Sequence, residues 1–186
     1  VLPVFNSTDL IPNNHNLYCG RPGADGDRSG NFVQQNSDLL IILGARMHIR
    51  QVGFNSESFA REAKKVMVDV DKYEMIKPNL NIDVKIQADL KYFLPAMLVK
   101  TKKYKPKKCH LNYLSWSKKR KSLFPVLQPH HFKSQKNTVN PYAMMEKLFA
   151  KFDDDEIIVT GDGTAVVVSF KTWLLYSSPS PRDKMH

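Results

Sequence analysis

The sequence lacks the features that mark several classes of protein. It holds only two cysteines, Cys19 and Cys109, so neither a disulfide framework nor a cysteine-rich zinc site is expected. Its apolar runs, at residues 39–43 and 165–168, are far shorter than the roughly 20 residues that span a bilayer. The opening Val-Leu-Pro-Val has no Met and no charged leader, so no signal peptide is visible. These absences favour a cytoplasmic protein without a membrane partner, an organelle being the alternative.

Acidic residues are missing from one long segment. Residues 90–145 contain 13 Lys and Arg and no Asp or Glu, whereas the whole chain has 28 basic and 18 acidic residues. Tyr104, Tyr113 and Trp116 lie among the lysines, which is typical of a nucleic-acid-binding surface. The segment is also rich in proline, which is typical of a connection between domains. We favour a basic linker with one helix, residues 101–138, over a nucleic-acid-binding module.

Short apolar segments that alternate with polar turns predict an α/β fold with a Rossmann-like parallel sheet. The run at residues 39–43 is continuously apolar and ends at Gly44, as in a parallel strand buried on both faces. The predicted strands are residues 2–5, 38–44, 65–71 and 84–86. The predicted helices of this part are residues 31–36, 56–65, a helix capped by Asp89, and residues 111–123.

A second α/β unit is predicted to begin near Val139. Asn140 and Pro141 form a helix start, with Asn as the cap and Pro in the first turn. Residues 156–160 then predict a strand, followed by a glycine turn and a helix from Ala165. The chain would therefore end with the first βα unit of a further α/β domain.

The turn Gly161-Asp162-Gly163-Thr164 is the first candidate binding site. Glycines between a strand and a helix let the backbone approach a ligand closely. The free N–H groups of the following helix would then face an anion, and a diphosphate is the natural ligand. The alternative is a tight turn that binds nothing, and local features alone do not separate the two.

The carboxyl ends of the first two strands supply the second candidate site. Gly44 and Arg46 follow one strand, and Asp69 and Asp71 end the next. Arg46 could pair with a phosphate, and a carboxylate there could accept a ribose hydroxyl. The alternative roles are helix capping and surface charge. The six histidines show no metal-binding spacing, so no metal ligands are predicted in this chain.

Several motifs in order resemble the acetolactate-synthase-like family of thiamine diphosphate-dependent enzymes, over about residues 1 to 170. The segments that carry the resemblance are YCGRPG at 18–23, GDRSGNF at 26–32, QNSDLLIILGAR at 35–46, VDVD at 68–71, ADLK at 88–91, NPY at 140–142 and IIVTGDGTA at 157–165. The resemblance implies a central domain at residues 1–100 that lacks its first strand and helix. It also implies the start of the diphosphate-binding domain at residues 139–172.

The resemblance further implies a function for the longer protein. Such an enzyme cleaves or joins a carbon–carbon bond of a 2-oxo acid, with thiamine diphosphate and Mg²⁺, as a homodimer or tetramer. By resemblance, Gly161, Asp162, Gly163 and Thr164 form the loop that touches the cofactor's diphosphate. The family's activating glutamate and magnesium ligands lie in parts that this chain does not match, so we expect no catalytic residue here and no activity from the chain alone.

Some members of the family bind FAD in the central domain. The corresponding positions here are Gly44, Arg46, Asp69, Val70 and Asp89. The family's phenylalanine and paired aspartates after the GxR motif are replaced by Met-His-Ile at residues 47–49, and one of those aspartates is an FAD contact. The resemblance therefore leaves FAD, another nucleotide or a non-catalytic nucleotide-binding domain as alternatives. Residues 173–186 depart from the family and are predicted to be unrelated and disordered.

Overall fold

A computed structural model describes residues 1–8, 10–78, 80–133, 136–152 and 157–172. Three strands form one sheet in the order β1-β2-β3, and both pairs are parallel. The strands are β1 (Leu39–Leu43), β2 (Lys64–Asp69) and β3 (Val84–Gln87). The predicted Rossmann-like α/β class is confirmed. The tail prediction for residues 173–186 lies outside the described residues.

Seven α-helices accompany the sheet in the described part of the chain. They are α1 (Arg28–Gln35), α2 (Ile49–Val52), α3 (Lys72–Met75), α4 (Leu90–Thr101), α5 (Lys108–Leu123), α6 (Pro141–Phe149) and α7 (Thr164–Thr172). Local capping explains where several begin. The side chain of Asp89 accepts a hydrogen bond from Lys91 N at 2.8 Å, and that of Asn140 accepts one from Tyr142 N at 3.0 Å. These caps satisfy backbone donors that a helix start leaves unpaired.

The core lies on one face of the sheet. Ile41 of β1 is in register with Val66 of β2, which is in register with Val84 of β3, so these three side chains share the opposite face. The buried cluster is built from the alternate strand positions and the loops beside them; it comprises Ile42, Met47, Val52, Phe59, Ala60, Ala63, Met67, Met75, Leu80 and Ile82.

The prediction that β1 is buried on both faces is wrong. Leu39 and Ile41 remain 50% and 42% exposed. Helix α4 also differs from expectation. None of its twelve residues, all of them described, is buried, although Asp89 caps the helix as predicted.

The basic segment is packed against the sheet domain rather than extended from it. Helix α5 lies along α1, and Tyr113 Oη donates a hydrogen bond to the Val33 carbonyl. Near the end of α5, Lys121 Nζ donates to the carbonyl of Asn13 over 2.6 Å. The predicted linker therefore contains a helix that contributes to the tertiary structure.

Three predicted elements are wrong. Residues 2–4 lie in no strand, and Phe5–Ser7 form a 3₁₀ helix. Residues 157–160 also lie in no strand, because no described strand runs beside them and an isolated strand cannot complete its hydrogen bonds. The predicted helix at residues 56–65 is a 3₁₀ turn, Ser56–Ser58, after which Ala60 takes a φ of 40° that no α-helix allows.

Candidate functional site

The five predicted nucleotide-binding positions lie at one edge of the sheet. Gly44 follows β1, Val70 follows β2, and Asp89 comes two residues after β3. Because the three strands are parallel, their carboxyl ends meet at this edge. The backbone holds the edge together, since Gly44 N donates to Val68 O over 2.9 Å and Ala88 N donates to Asp69 O over 3.0 Å. The positions that sequence reasoning selected are thus brought together.

Gly44 is required at this edge for two reasons. Its φ is 55°, in the left-handed region that side chains disfavour. A Cβ at this position would lie 2.8 Å from Leu90 Cδ1 at the start of α4. The glycine therefore allows β1 to turn sharply beneath the first residue of α4.

Arg46 is paired within the protein. Its Nε donates a 2.8 Å hydrogen bond to Glu74 Oε1, while 73% of the Arg46 side chain stays exposed. Glu74 is itself buried and also binds the ammonium of Lys77. Lys77 and Arg46 together hold the pKa of the Glu74 carboxyl below its usual value, against the opposite effect of burial. The guanidinium is thereby oriented at the sheet edge while most of it faces solvent.

Two of the predicted carboxylates, Asp69 and Asp89, also act locally. Asp69 is buried, and its Oδ1 accepts a hydrogen bond from Asp71 N at 2.9 Å. Asp89 is exposed and caps α4. A carboxylate can accept several hydrogen bonds, so these contacts orient the two groups and leave lone pairs free for a ligand. Val70 is 60% exposed and carries only an apolar side chain.

The residues after the GxR motif have three different environments. Met47 is 4% exposed and belongs to the core. The Nδ1 atom of His48 accepts from Arg50 N and caps α2, and Ile49 is 55% exposed. This stretch therefore offers no carboxylate to a ligand at the sheet edge.

Sequence reasoning missed the roles of Asp27 and Arg21 in the glycine-rich segment. Asp27 accepts hydrogen bonds from Arg21 N, Ser29 Oγ and Gly30 N at 2.9, 2.8 and 2.5 Å. The Arg21 side chain is 2% exposed and its Nη1 donates to Phe170 O in α7 over 3.1 Å. Asp27 could have been found as a cap before a short helix. The partner of Arg21 is 149 residues away and leaves no local signal.

The glycine turn before α7 is open to solvent. Residues 161–165 are exposed, and a Cβ placed on Gly161 or Gly163 would have no neighbour within 4 Å. Gly163 has a φ of 85°, and its N–H donates to Asp162 Oδ1 over 2.8 Å. Helix α7 begins directly after it, at Thr164. The turn can therefore present helix N–H groups to an anion without displacing protein atoms.

A cavity of about 620 Å³ lies beside this turn. Apolar side chains of α6 and α7, including Met144, Leu148 and Val168, line it together with Gly161 and Thr164. Ser169 also lines it and is 4% exposed, yet its hydroxyl has no hydrogen-bond partner within the described part of the chain. A buried hydroxyl without a partner is uncommon and fits a ligand that enters the cavity.

The aromatic residues of the basic segment are occupied by contacts within the protein. Tyr113 and Trp116 stack with ring centroids 5.6 Å apart, and Arg120 lies 5.1 Å from the Trp116 ring centroid. Tyr104 stacks on His110 at 6.1 Å. Since each of these rings already stacks on a neighbour and Tyr113 also binds α1, the arrangement does not favour the nucleic-acid alternative.

No group of three or more His, Cys, Asp and Glu side chains in the described residues could hold a metal ion. No helix among the same residues is long and apolar enough to cross a bilayer.

Comparison with known proteins identifies the family. Residues 1–97 match the family model described as thiamine pyrophosphate enzyme, central domain, and these residues contain the whole three-stranded sheet. The chain belongs to the thiamine pyrophosphate enzyme family. Within this family, the three-stranded parallel sheet corresponds to the central domain.

Curated relatives of the chain are acetolactate synthases. The probable acetolactate synthase large subunit of Methanococcus aeolicus is 30% identical over 184 residues, which covers 93% of this chain and 30% of that protein. The large subunit from Corynebacterium glutamicum is 30% identical over 183 residues, covering 94% of this chain and 28% of the relative. The large subunit of acetolactate synthase isozyme 1 from Escherichia coli is 39% identical over 89 residues, which covers 48% of this chain and 16% of that protein. The chain thus spans less than a third of the length of these relatives.

Proposed function

We propose that the chain is part of an acetolactate-synthase-like enzyme that uses thiamine diphosphate and Mg²⁺ on 2-oxo acids. The family membership and the relatives that cover over nine-tenths of the chain support this. When bound, the cofactor supplies the carbanion chemistry, and the protein binds and orients it. In this proposal the chain contributes cofactor contacts, the catalytic acid and magnesium ligands come from elsewhere, and the full-length enzyme is a homodimer or tetramer.

The observation that carries the proposal is the open glycine turn before α7. Backbone N–H groups there would bind the diphosphate of the cofactor, because Gly161 and Gly163 leave space for its oxygens. The Gly163 N–H is bound to Asp162 Oδ1, so the donors left for a ligand are the N–H groups of the first turn of α7 and the Thr164 hydroxyl. The buried Ser169 hydroxyl in the adjacent cavity provides a further polar contact for the bound molecule.

Two matched glycine variants test this role. Gly163 and Gly53 have φ angles of 85° and 86°, and a Cβ on either would have no neighbour within 4 Å. Alanine is therefore strained by a positive φ, and by no steric contact, at both positions. We expect pyrophosphate and thiamine diphosphate to shift the amide NMR signals of Gly161 and Gly163 saturably. Gly163→Ala should weaken this binding about tenfold, and Gly53→Ala should leave it unchanged. Equal losses in both variants would contradict the proposal.

Calorimetry tests how much of the cofactor site this chain holds. We propose that the chain alone binds thiamine diphosphate and Mg²⁺ weakly and has no synthase activity, because it supplies only part of the cofactor contacts. Titration should therefore give no micromolar dissociation constant. Tight binding or turnover of a 2-oxo acid would show that the chain contains a complete site.

We propose that the sheet edge binds a nucleotide. Asp69 and Asp89 suit ribose hydroxyls, and Arg46 is oriented toward solvent by Glu74 where a phosphate could meet it. FAD and a non-flavin nucleotide are the two alternatives. Purified protein that carries flavin should be yellow and release it on denaturation. Colourless protein that binds neither FAD nor ADP in a titration would contradict both alternatives.

A further inference from the structure

A second cavity lies away from the sheet edge and the glycine turn. It has a volume of about 320 Å³ and is formed where the N-terminal loop, the start of α1, the end of α5 and the last turn of α7 meet. Its wall includes an apolar stretch, residues 124–127, that directly follows α5. The proposed contacts with thiamine diphosphate and nucleotide do not use this cavity.

Two lysines provide positive charge in this cavity. Lys121 and Lys171 both line it. Lys121 Nζ donates to Asn13 O and lies 4.6 Å from the Tyr18 ring centroid. None of the ion pairs within 4 Å in the described residues includes Lys121. Burial lowers the pKa of the Lys121 ammonium, which reflects the incomplete compensation of its charge.

The carboxylate that lines the cavity is held by other donors. Asp27 lines it, but both of its oxygens accept hydrogen bonds from Arg21 N, Ser29 Oγ and Gly30 N. These contacts fix Asp27 as the cap of α1. The negative charge of Asp27 repels a multiply charged ligand such as phosphate. It offsets one of the two lysine charges, so a ligand with a single negative charge is favoured beside the lysines.

A buried donor points to a ligand as well. Tyr18 lines the cavity and is 3% exposed, and its hydroxyl has no hydrogen-bond partner in the described part of the chain. Buried hydroxyls are almost always paired, so an unpaired hydroxyl on a residue of the cavity wall points to an acceptor from outside the protein.

We propose that this cavity binds a small monocarboxylate with an aliphatic body. The ammonium groups of Lys121 and Lys171 and the hydroxyl of Tyr18 would hold the carboxylate. Residues 124–127 would cover the aliphatic part, which removes apolar surface from water. The ligand class follows from this pairing of a cationic, hydrogen-bonding end with an apolar wall.

Titration of the intact chain with isovalerate tests the proposal. Isovaleramide has the same shape without the charge and serves as the matched probe, and inorganic phosphate tests for general anion binding. We expect saturable isovalerate binding in the millimolar range, read from amide NMR shifts around Tyr18 and Lys121. Isovaleramide and phosphate should each bind at least about tenfold more weakly.

Variants locate the binding. Lys121→Met should weaken isovalerate binding about tenfold, and Tyr18→Phe about threefold. Lys119→Met removes an exposed lysine from the same helix and should change nothing. Circular dichroism reports whether each variant folds. Absence of saturable binding to the unmodified chain, equal binding of isovaleramide, or an equal loss in Lys119→Met would each overturn the proposal.

Discussion

The hydroxyl of Tyr113 in α5 donates a 2.5 Å hydrogen bond to the backbone carbonyl of Val33 in α1. The two residues are 80 positions apart, and the bond joins the basic segment to the sheet domain. The hydrogen bond from Lys121 Nζ to Asn13 O joins the same two parts of the chain. The positive charge of this segment is therefore carried on a packed helix.

Tyr113→Phe should destabilise the protein by about 1 kcal/mol. The substitution removes the hydroxyl and leaves the Val33 carbonyl without this donor, while the ring contacts stay. Urea unfolding followed by circular dichroism measures the change. Tyr92→Phe is the control, since Tyr92 is 72% exposed. An unchanged midpoint in Tyr113→Phe would show that the bond contributes nothing to stability.

The same phenol should make stability depend on alkaline pH. Burial, with smaller effects of Cys19 and Asp38, raises the pKa of Tyr113 to about 12. Since this exceeds the pKa of about 10 for tyrosine in an unfolded chain, its contribution is complete below about pH 10. It is lost as the pH rises through about 12. The free energy of unfolding should fall less steeply over this interval in Tyr113→Phe than in Tyr92→Phe, and parallel curves would contradict the assignment.

Glu74 should make the free energy of unfolding decrease as the pH falls into the acidic range. Lys77 and Arg46 hold its pKa below the value in an unfolded chain. Its contribution is present above the unfolded-state pKa and is lost as the pH falls through the folded-state pKa. Glu74→Gln should flatten the acid limb of the unfolding free energy, whereas Glu57→Gln, at an exposed position, should leave it unchanged. A Glu74→Gln curve as steep as that of the unmodified chain would rule out this role.

Arg21→Met should loosen α7 selectively. The change removes hydrogen bonds to Phe170 O and Thr8 O and a guanidinium 5.3 Å from the Phe170 ring centroid. We expect a loss of about 2–3 kcal/mol, because buried backbone acceptors are left unpaired. Hydrogen exchange should accelerate more in α7 than in the sheet. Arg61→Met, at an exposed side chain, is the control, and uniform exchange would argue against a local role.

Gly30→Ala should be among the most harmful glycine substitutions. A Cβ at Gly30 would lie 2.5 to 2.7 Å from backbone atoms of Arg21, which cannot move independently. We expect a loss of about 2–4 kcal/mol from this overlap. Gly161→Ala, where a Cβ has no neighbour within 4 Å, should change stability little. Thermal unfolding of the two variants makes the comparison, and equal midpoints would contradict the packing of the glycine-rich segment.

The sheet was predictable because its signals are local. The apolar run of β1, the alternation into β2 and β3, and the caps Asp89 and Asn140 all depend on residues within a few positions of one another. Parallel pairing then places Gly44 and Asp69 at one edge, and the family resemblance adds Asp89. The candidate nucleotide site could therefore be assembled from the sequence.

The errors arise where distant parts of the chain decide the conformation. Phe59, Ala60 and Ala63 are buried as a helix would require, but Ala60 has a positive φ and the chain there turns instead. Residues 157–160 have the composition of a strand and lack a neighbouring strand among the described residues. Intrinsic β preference depends on such neighbours, so it misleads when they are absent.

By itself, the sequence determined the family, the three strands and the caps at Asp89 and Asn140, because these signals lie in consecutive residues. Only the tertiary structure decided that Arg21 reaches Phe170, that Tyr113 binds Val33, and that Tyr18 and Lys121 share a cavity. Those contacts join residues 80 to 149 positions apart, or meet in space between separate elements. Side-chain packing and the hydrogen bonding of buried polar groups determine these contacts, and both depend on residues that are distant in the sequence.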